Sequence, residues 1–450
     1  MKVSALVLAA GIGTRMKSST PKVLHTILGK PMICYILDTV ESLGVSDVAV
    51  VVGHGAADVR RTLGEKYHYI PQPSQLGTGD AVMKARTTFE DKPGYLLVLC
   101  GDTPLLKKET LDSLISLAEK ESPSAVMLTA KVPDPSGYGR ILRDSWGNIK
   151  GVVEERDCQV EEKMINEVNT GVYLFSITDL WQALEKITPD NDQHEYYLTD
   201  VISILHDQKK SILSVKSNDL EEYRGINNRW HLAQIAADML EERIRDLCLD
   251  GVTIIDPKST YIESDVTIGE DTTIHPNSYL SGKITIGKNC NIGPFVYLIG
   301  DDKGITIEDN VSVGPFVRMR PPVEVKENAK IGCFIDLKKS IIGKGSKVPH
   351  LSYIGDTEMG EDVNIGAGTI TCNYDGVNKH KTKIGNRVFT GSDTMLVAPI
   401  ELGDDSYTGA GSVVTKSVEP GDLAIERSEV RVVKGWGKRK NAQKQANKNG

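Results

Sequence analysis

Two stretches of this chain carry side chains spaced for chemistry. The first is Leu8-Ala9-Ala10-Gly11-Ile12-Gly13-Thr14-Arg15-Met16, followed by Pro21-Lys22. Glycines directly after a buried apolar run let backbone N–H groups approach phosphate oxygens, and Arg15 and Lys22 add charge where a pyrophosphate would leave. The string is neither a Walker A loop nor a dinucleotide fingerprint, because Met16 stands at the third glycine position. A bare Gly-x-Gly is also what a plain turn before a helix looks like. Further on, Asp102 follows the apolar run Tyr95 to Cys100. Carboxyl ends of buried strands are where open α/β sheets bind ligands, and a hard carboxylate there suits Mg²⁺; an Asp opening the turn into Pro104 explains the same residue without function. The second stretch is Ser346-Lys347-Val348-Pro349-His350-Leu351-Ser352-Tyr353. Histidine is the natural base near neutral pH, although an isolated His on a repeat is more often a structural or exposed residue.

The elements that must position these groups differ between the halves. From Val3 to about Asn228 short Val-, Leu- and Ile-rich runs (Val3 to Leu8, Val48 to Val52, Tyr95 to Cys100, Ala125 to Ala130) alternate with helix-like stretches. That texture predicts an α/β domain with parallel strands covered on both faces, over residues 1–228. Residues 229–250 read as an amphipathic linker helix, with Leu232, Ile235, Met239, Leu240, Ile244 and Leu247 three or four apart and Gly251 placed to stop it. Beyond Gly251 aliphatic residues recur every six positions: Ile262, Ile268, Ile274, Leu280, Ile286, Ile292 and Leu298. The series resumes from Ile307, Ile342, Met359 and Ile384, after steps of 9, 5, 5 and 19. A hexapeptide period is the signature of a parallel β-helix, three hexads to a coil, and residues 251–433 are assigned to it. The longest break holds Cys372-Asn373-Tyr374-Asp375-Gly376, which must leave the solenoid as a loop. Residues 434–450 form a basic polar tail, expected to be solvated and disordered.

Longer strings carry a resemblance. Leu-x-x-Gly-x-Gly-Thr-Arg-Met with Pro-Lys is followed in order by Gln72 with Gln75-Leu76-Gly77-Thr78-Gly79, Gly101-Asp102, Gly137-Tyr138-Gly139-Arg140, Glu154, Asn169-Thr170-Gly171 and Asn227. Together these resemble the sugar-nucleotide pyrophosphorylases, and more closely the uridyltransferase half of the bifunctional N-acetylglucosamine-1-phosphate uridyltransferase / glucosamine-1-phosphate N-acetyltransferase family. The run Arg320-Pro321, Asp336-Leu337-Lys338-Lys339, His350 to Tyr353, Asn364-Ile365-Gly366-Ala367-Gly368 and Cys372 to Gly376 resembles its acetyltransferase half. The fold implied is α/β: a Rossmann-like nucleotidyltransferase domain and then a left-handed, trimeric parallel β-helix of hexapeptide repeats.

The resemblance implies that Asp102 and Asn227 hold Mg²⁺, and that Arg15 and Lys22 act on the leaving pyrophosphate. Leu8, Ala9, Ala10, Gly11, Gly13, Gln72, Gly77 and Thr78 would bind the nucleotide, and Gly139, Glu154 and Asn169 the amino sugar. In the second half His350 would be the general base. Arg320, Lys338, Tyr353 and Asn364 would hold glucosamine 1-phosphate, and Ala367, Asn373, Tyr374, Ser392, Ala410 and Arg427 acetyl-CoA. UTP and acetyl-CoA are the implied co-substrates, UDP-N-acetylglucosamine (a cell-wall precursor) the product, and a homotrimer the implied assembly. Three positions depart from the usual pattern: Cys100 before Gly101, Asp80 after Gly79, and Asp336 where Glu is usual.

Composition excludes other classes. A net charge of −8 argues against nucleic acid as partner, since phosphate contacts need clustered cations. No apolar stretch approaches the roughly 18 residues of a membrane span. Seven cysteines without a C-x-x-C pair fit neither a disulfide framework nor a zinc site, and point to a reducing, cytoplasmic setting. Two alternatives stay open: a pyrophosphorylase whose solenoid only trimerises or regulates, and a non-catalytic assembly subunit.

Overall fold

The computed structural model describes residues 1–219 and 221–448. Two compact units, 1–239 and 240–450, meet within the helix Arg229–Leu249. That helix ends one residue before the expected 250, and Gly251, at φ +91°, follows it. Ile235, Ile244 and Leu247 are its buried positions.

In the first unit seven strands lie side by side in the order Ile212–Ser217, Ala125–Lys131, Glu167–Ser176, Tyr95–Cys100, Val3–Ala9, Val48–Val52, His68–Pro71. Val3–Ala9 pairs in parallel with both Val48–Val52 and Tyr95–Cys100. The sheet is mixed rather than wholly parallel, because Glu167–Ser176 runs antiparallel to its two neighbours. Runs of Val, Leu and Ile mark a strand as buried on both faces but carry no sign of its direction. Leu6, Val51, Val98, Met127 and Phe175 are fully buried in the core between sheet and helices. A hairpin of Arg140–Arg143 and Ile149–Val153 hangs from Glu167–Ser176.

In the second unit the hexad series is the interior of a parallel β-helix. Every position of the series is buried except Ile268, which packs half-buried against the core. Strands pair with strands 18 residues on, as Ile262 with Leu280, so three hexads make one coil. The breaks are coils of other lengths: Ile284 pairs with Ile305, Ile331 with Val348 and Ile370 with Met395. The step of 19 also hides one more inward position, Thr371, which is polar, buried and therefore silent in an aliphatic count. With Leu337 at 0% exposure, Leu337→Ala is expected to cost about 2–5 kcal/mol, read from chemical unfolding of this unit.

Phe295, Phe316 and Phe334 stand exposed one rung apart, their rings stacked at 5.0 and 4.9 Å, with exposed Leu351 on the next rung. The basic tail is a helix, Trp436–Ala446, rather than disordered. Its Lys, Arg, Gln and Ala residues favour helix without burying any face. Residues 449–450 of the tail lie outside the described residues. Among the described residues no helix is long and apolar enough to cross a membrane.

Candidate active sites

A cavity of about 450 Å³ opens at the carboxyl end of Val3–Ala9. Leu8, Ala9, Ala10, Gly11, Gly13, Lys22, Gln72, Gly77, Thr78 and Asp102 all line it. Gly13 sits at φ +66°, and a Cβ there would lie 2.8 Å from the Lys22 Cβ, so the glycine lets the lysine approach the loop. The Lys22 ammonium bonds the Asp102 carboxylate and lies 3.1 Å from Asn227 Oδ1. Arg15 does not line the cavity, but its guanidinium donates to the same Asn227 oxygen at 3.0 Å. The Asp102 carbonyl accepts the Ile226 N–H at 3.0 Å, which holds the Asn227 segment against the strand end.

Gln72, 3% exposed, donates its amide to Asp80 Oδ2 at 2.8 Å and to the Gly77 carbonyl at 3.1 Å. Asp80, unusual in the motif, is thus the group that orients Gln72. The Gly77–Gly79 loop is clamped from a distant segment: Gly79 N–H donates to the Tyr196 carbonyl at 2.7 Å, and Thr78 Oγ1 accepts the Leu198 N–H at 3.1 Å. Gly77 has φ +106°, and a Cβ would fall 2.5 Å from the Tyr196 carbonyl oxygen. Gly77→Ala is therefore expected to raise KM for the nucleotide at least about tenfold and to lower stability by about 1–3 kcal/mol, checked by steady-state kinetics and thermal unfolding.

Gly139, Glu154 and Asn169 do not line the cavity and form a group of their own. Asn169 N–H donates to the Gly139 carbonyl at 2.8 Å, and the Asn169 amide donates to Tyr173 Oη at 2.7 Å. Glu154 Oε1 accepts from Thr199 Oγ1 at 3.1 Å, and burial pushes the Glu154 carboxyl above the usual carboxylate range. Cys100 lines the cavity, and burial pushes its thiol up to about 12. It is therefore a packing residue rather than a nucleophile at neutral pH. Sequence reasoning missed Gln75, Glu195, Tyr196, Thr199 and Tyr173. Gln75 and Glu195 line the cavity, and the signal for Gln75 lay in the motif itself; Tyr196 acts on Gly79 across more than a hundred residues and Thr199 on Glu154 across 45, which no spacing shows, while Tyr173 stands only four residues from Asn169.

In the solenoid, Arg320 pairs bidentately with Asp336, Nε donating to Oδ1 at 3.3 Å and Nη2 to Oδ2 at 2.9 Å. Strand register puts Arg320 beside Lys338 and Asp336 beside Tyr353. Lys338 Nζ lies 3.8 Å from Asp356, and Asn373 donates to Asp356 and, at 3.4 Å, to Tyr353 Oη. The ammonium of Lys338 beside Lys379 pulls the latter below its ordinary range. Arg320, Lys338, Tyr353 and Asn373 are thus brought together. Asn364 is not; it sits in the column Lys347, Asn364, Phe389 of another face.

His350 is exposed at the corner after this column. Its carbonyl accepts the Gly368 N–H at 3.3 Å, the Ala367 carbonyl accepts from Asp393, and the Ser392 carbonyl from Gly411. Ala367, Ser392 and Ala410 therefore follow His350 along one edge, a rung apart. Arg427 lies over that edge next to Gly409. Asn373 and Tyr374 open the extra loop, a small hairpin bridged between Tyr374 and Lys379. His380 Nε2 meets Asp375 Oδ2 at 2.7 Å and holds that carboxyl down to about 2.

Residues 5–195 match the MobA-like NTP transferase domain, 265–300 the bacterial transferase hexapeptide (six repeats), and 381–416 the hexapeptide repeat of succinyl-transferase. The halves are thus an α/β nucleotidyltransferase domain and a parallel β-helix of hexapeptide repeats. Over the whole length, the bifunctional protein GlmU of Heliobacterium modesticaldum is 46% identical, covering 96% of this chain and 97% of that protein. The protein of the same name from Clostridium beijerinckii is 45% identical over 98% of this chain and 99% of its own. That of Listeria monocytogenes is 41% identical over 97% and 98%. With both groups of side chains in place and relatives matched from end to end, the chain belongs to the family of the bifunctional protein GlmU.

Proposed function

We propose that the chain acetylates glucosamine 1-phosphate with acetyl-CoA in its solenoid, and transfers UMP from UTP to the resulting N-acetylglucosamine 1-phosphate in its α/β domain. The observation that carries this reading is that each unit holds its own group of converging functional side chains: Lys22, Asp102 and Asn227 in one, Arg320, Lys338, Tyr353 and Asn373 beside His350 in the other.

For uridyl transfer the sugar phosphate oxygen forms the new bond to the α-phosphorus of UTP while the bond to pyrophosphate breaks, so no protein nucleophile is needed. Backbone N–H groups of the Gly11–Gly13 loop cradle the phosphates, Lys22 and Arg15 receive the charge that develops on pyrophosphate, and Gln72 with Gly77 and Thr78 holds the uracil side. Gly139, Glu154 and Asn169 hold the amino sugar. The Asp102 carboxylate and the Asn227 carboxamide oxygen already share one cation, the Lys22 ammonium, and such hard oxygen donors fit Mg²⁺. When bound there, the metal would neutralise phosphate charge.

For acetyl transfer the amine attacks the thioester carbonyl, His350 takes the ammonium proton, and the CoA thiol leaves. Lys338, Lys379 and the remaining donors of Arg320 offer cations to the sugar phosphate, with Tyr353 for its hydroxyls and amine; Asn364, on another face of the solenoid, would join them only from a neighbouring copy of the chain. Ala367, Asn373, Tyr374, Ser392, Ala410 and Arg427 line the path for acetyl-CoA. A homotrimer is part of the proposal: the exposed Phe295, Phe316, Phe334 and Leu351 edge is an apolar strip that second copies of the chain would cover. The domain limits that go with this reading are 1–228, 229–250, 251–433 and 434–450, with a cytoplasmic location.

The test is a coupled assay with glucosamine 1-phosphate, acetyl-CoA, UTP and Mg²⁺, following free thiol and pyrophosphate separately. Both signals are expected. Pyrophosphate released only with added N-acetylglucosamine 1-phosphate, and no thiol, would leave the solenoid a scaffold.

A further inference from the structure

Cys333 and His350 face each other across adjacent rungs. The strands Lys330–Ile342 and Lys347–Gly355 run in parallel register with Cys333 opposite His350. Cys333 Sγ lies 3.2 Å from His350 Nδ1 and 3.9 Å from the Pro349 carbonyl oxygen. The neighbouring Gly332 keeps the rungs this close: a Cβ there would fall 1.8 Å from that same oxygen. Among the described residues no other side chain bonds the His350 ring. Ser352 and Gly368 bond only its backbone carbonyl.

The Pro349 carbonyl oxygen can only accept, and with the thiol proton donated to it the sulfur lone pairs face the ring. Nδ1 then carries the ring proton and donates it to sulfur, which leaves the Nε2 lone pair free. A base acting through Nε2 needs that lone pair; the other tautomer presents an N–H to the incoming amine instead. We propose that Cys333 is a positioning residue that fixes the tautomer and the ring orientation of His350. The inference rests on His350 being the base for acetyl transfer.

Cys333→Ala in the full chain is expected to lower kcat for thiol release from acetyl-CoA about tenfold, a part of what a general base contributes, with KM for acetyl-CoA and for glucosamine 1-phosphate unchanged. Pyrophosphate formation stays at the wild-type rate and reports that the protein is folded. Cys333→Ser recovers most of the loss, since a hydroxyl can also accept from Nδ1–H and donate to Pro349. A Cys333→Ala protein with wild-type kcat, or one whose loss lies in KM, overturns the inference while leaving the function intact. A wild-type protein that releases no thiol would overturn the acetyltransferase reading itself, and the role of Cys333 with it.

Discussion

Asp102→Ala is expected to remove uridyl transfer, lowering kcat/KM for UTP by at least about a thousandfold, roughly 4 kcal/mol of transition-state stabilisation, while thiol release from acetyl-CoA stays within about twofold of wild type. The side chain stands where charge must be balanced: it bonds the Lys22 ammonium, and Lys22 also reaches Asn227 at 3.1 Å. Without the carboxylate, the proposed metal loses its one anionic ligand, and Lys22 is left aimed at Asn227 instead of sharing a counter-charge. The fold around it does not depend on the side chain, because the Asp102 backbone carbonyl still accepts the Ile226 N–H at 3.0 Å and Thr103 Oγ1 still donates to Cys100 at 3.0 Å. Asp102→Asn keeps the shape without the charge and is expected to be equally inactive. The check is pyrophosphate release with added N-acetylglucosamine 1-phosphate, run beside thiol release. Loss of both activities would mean misfolding, and retained uridyl transfer would remove Asp102 from the chemistry.

Much of the first site was legible because its residues come from one local device, a glycine loop after a buried strand, and Leu8 to Gly13, Lys22 and Asp102 do line one cavity. What was not legible arises from closure in space. Tyr196 and Leu198 hold the Gly77–Gly79 loop from more than a hundred residues away, and Glu154 finds Thr199; neither spacing has a period that a one-dimensional reading can detect. The solenoid was legible for the opposite reason. A β-helix buries the same position of every hexad, so its core is written as a period, which breaks where a coil has another length and goes silent where the inward residue is polar, as at Thr371. The direction of Glu167–Ser176 was hidden because apolar content reports burial and not polarity of the chain. The helix Trp436–Ala446 has no apolar face to betray it, so its sequence carries no more than the composition of a solvated tail. The Arg320 pairing with Asp336 also lay beyond the sequence. It shows how the shorter acid at 336 is used, held by a guanidinium rather than turned to solvent.

The complementary expectation is that His350→Ala lowers acetyl transfer by about 10²–10⁴-fold, the range a positioned general base supplies, with uridyl transfer unchanged. His350 is exposed at a corner of the solenoid and contributes nothing to its core, whose neighbouring inward positions are Val348 and Ile354. Truncation therefore leaves the rungs intact: Gly368 N–H still reaches the residue 350 carbonyl and Tyr353 N–H that of Thr369. The loss should fall on kcat and leave KM for glucosamine 1-phosphate near its wild-type value, since the candidate phosphate cations Arg320, Lys338 and Lys379 lie on other residues. Thiol release in the presence of glucosamine 1-phosphate reads the effect, and pyrophosphate release with preformed N-acetylglucosamine 1-phosphate is the internal control. If the variant acetylates at the wild-type rate, the proton goes elsewhere. His380, in the extra hairpin, is already engaged by Asp375 at 2.7 Å, so the paired variant His350→Ala with His380→Ala would then decide whether the extra hairpin, rather than the rung, carries the base.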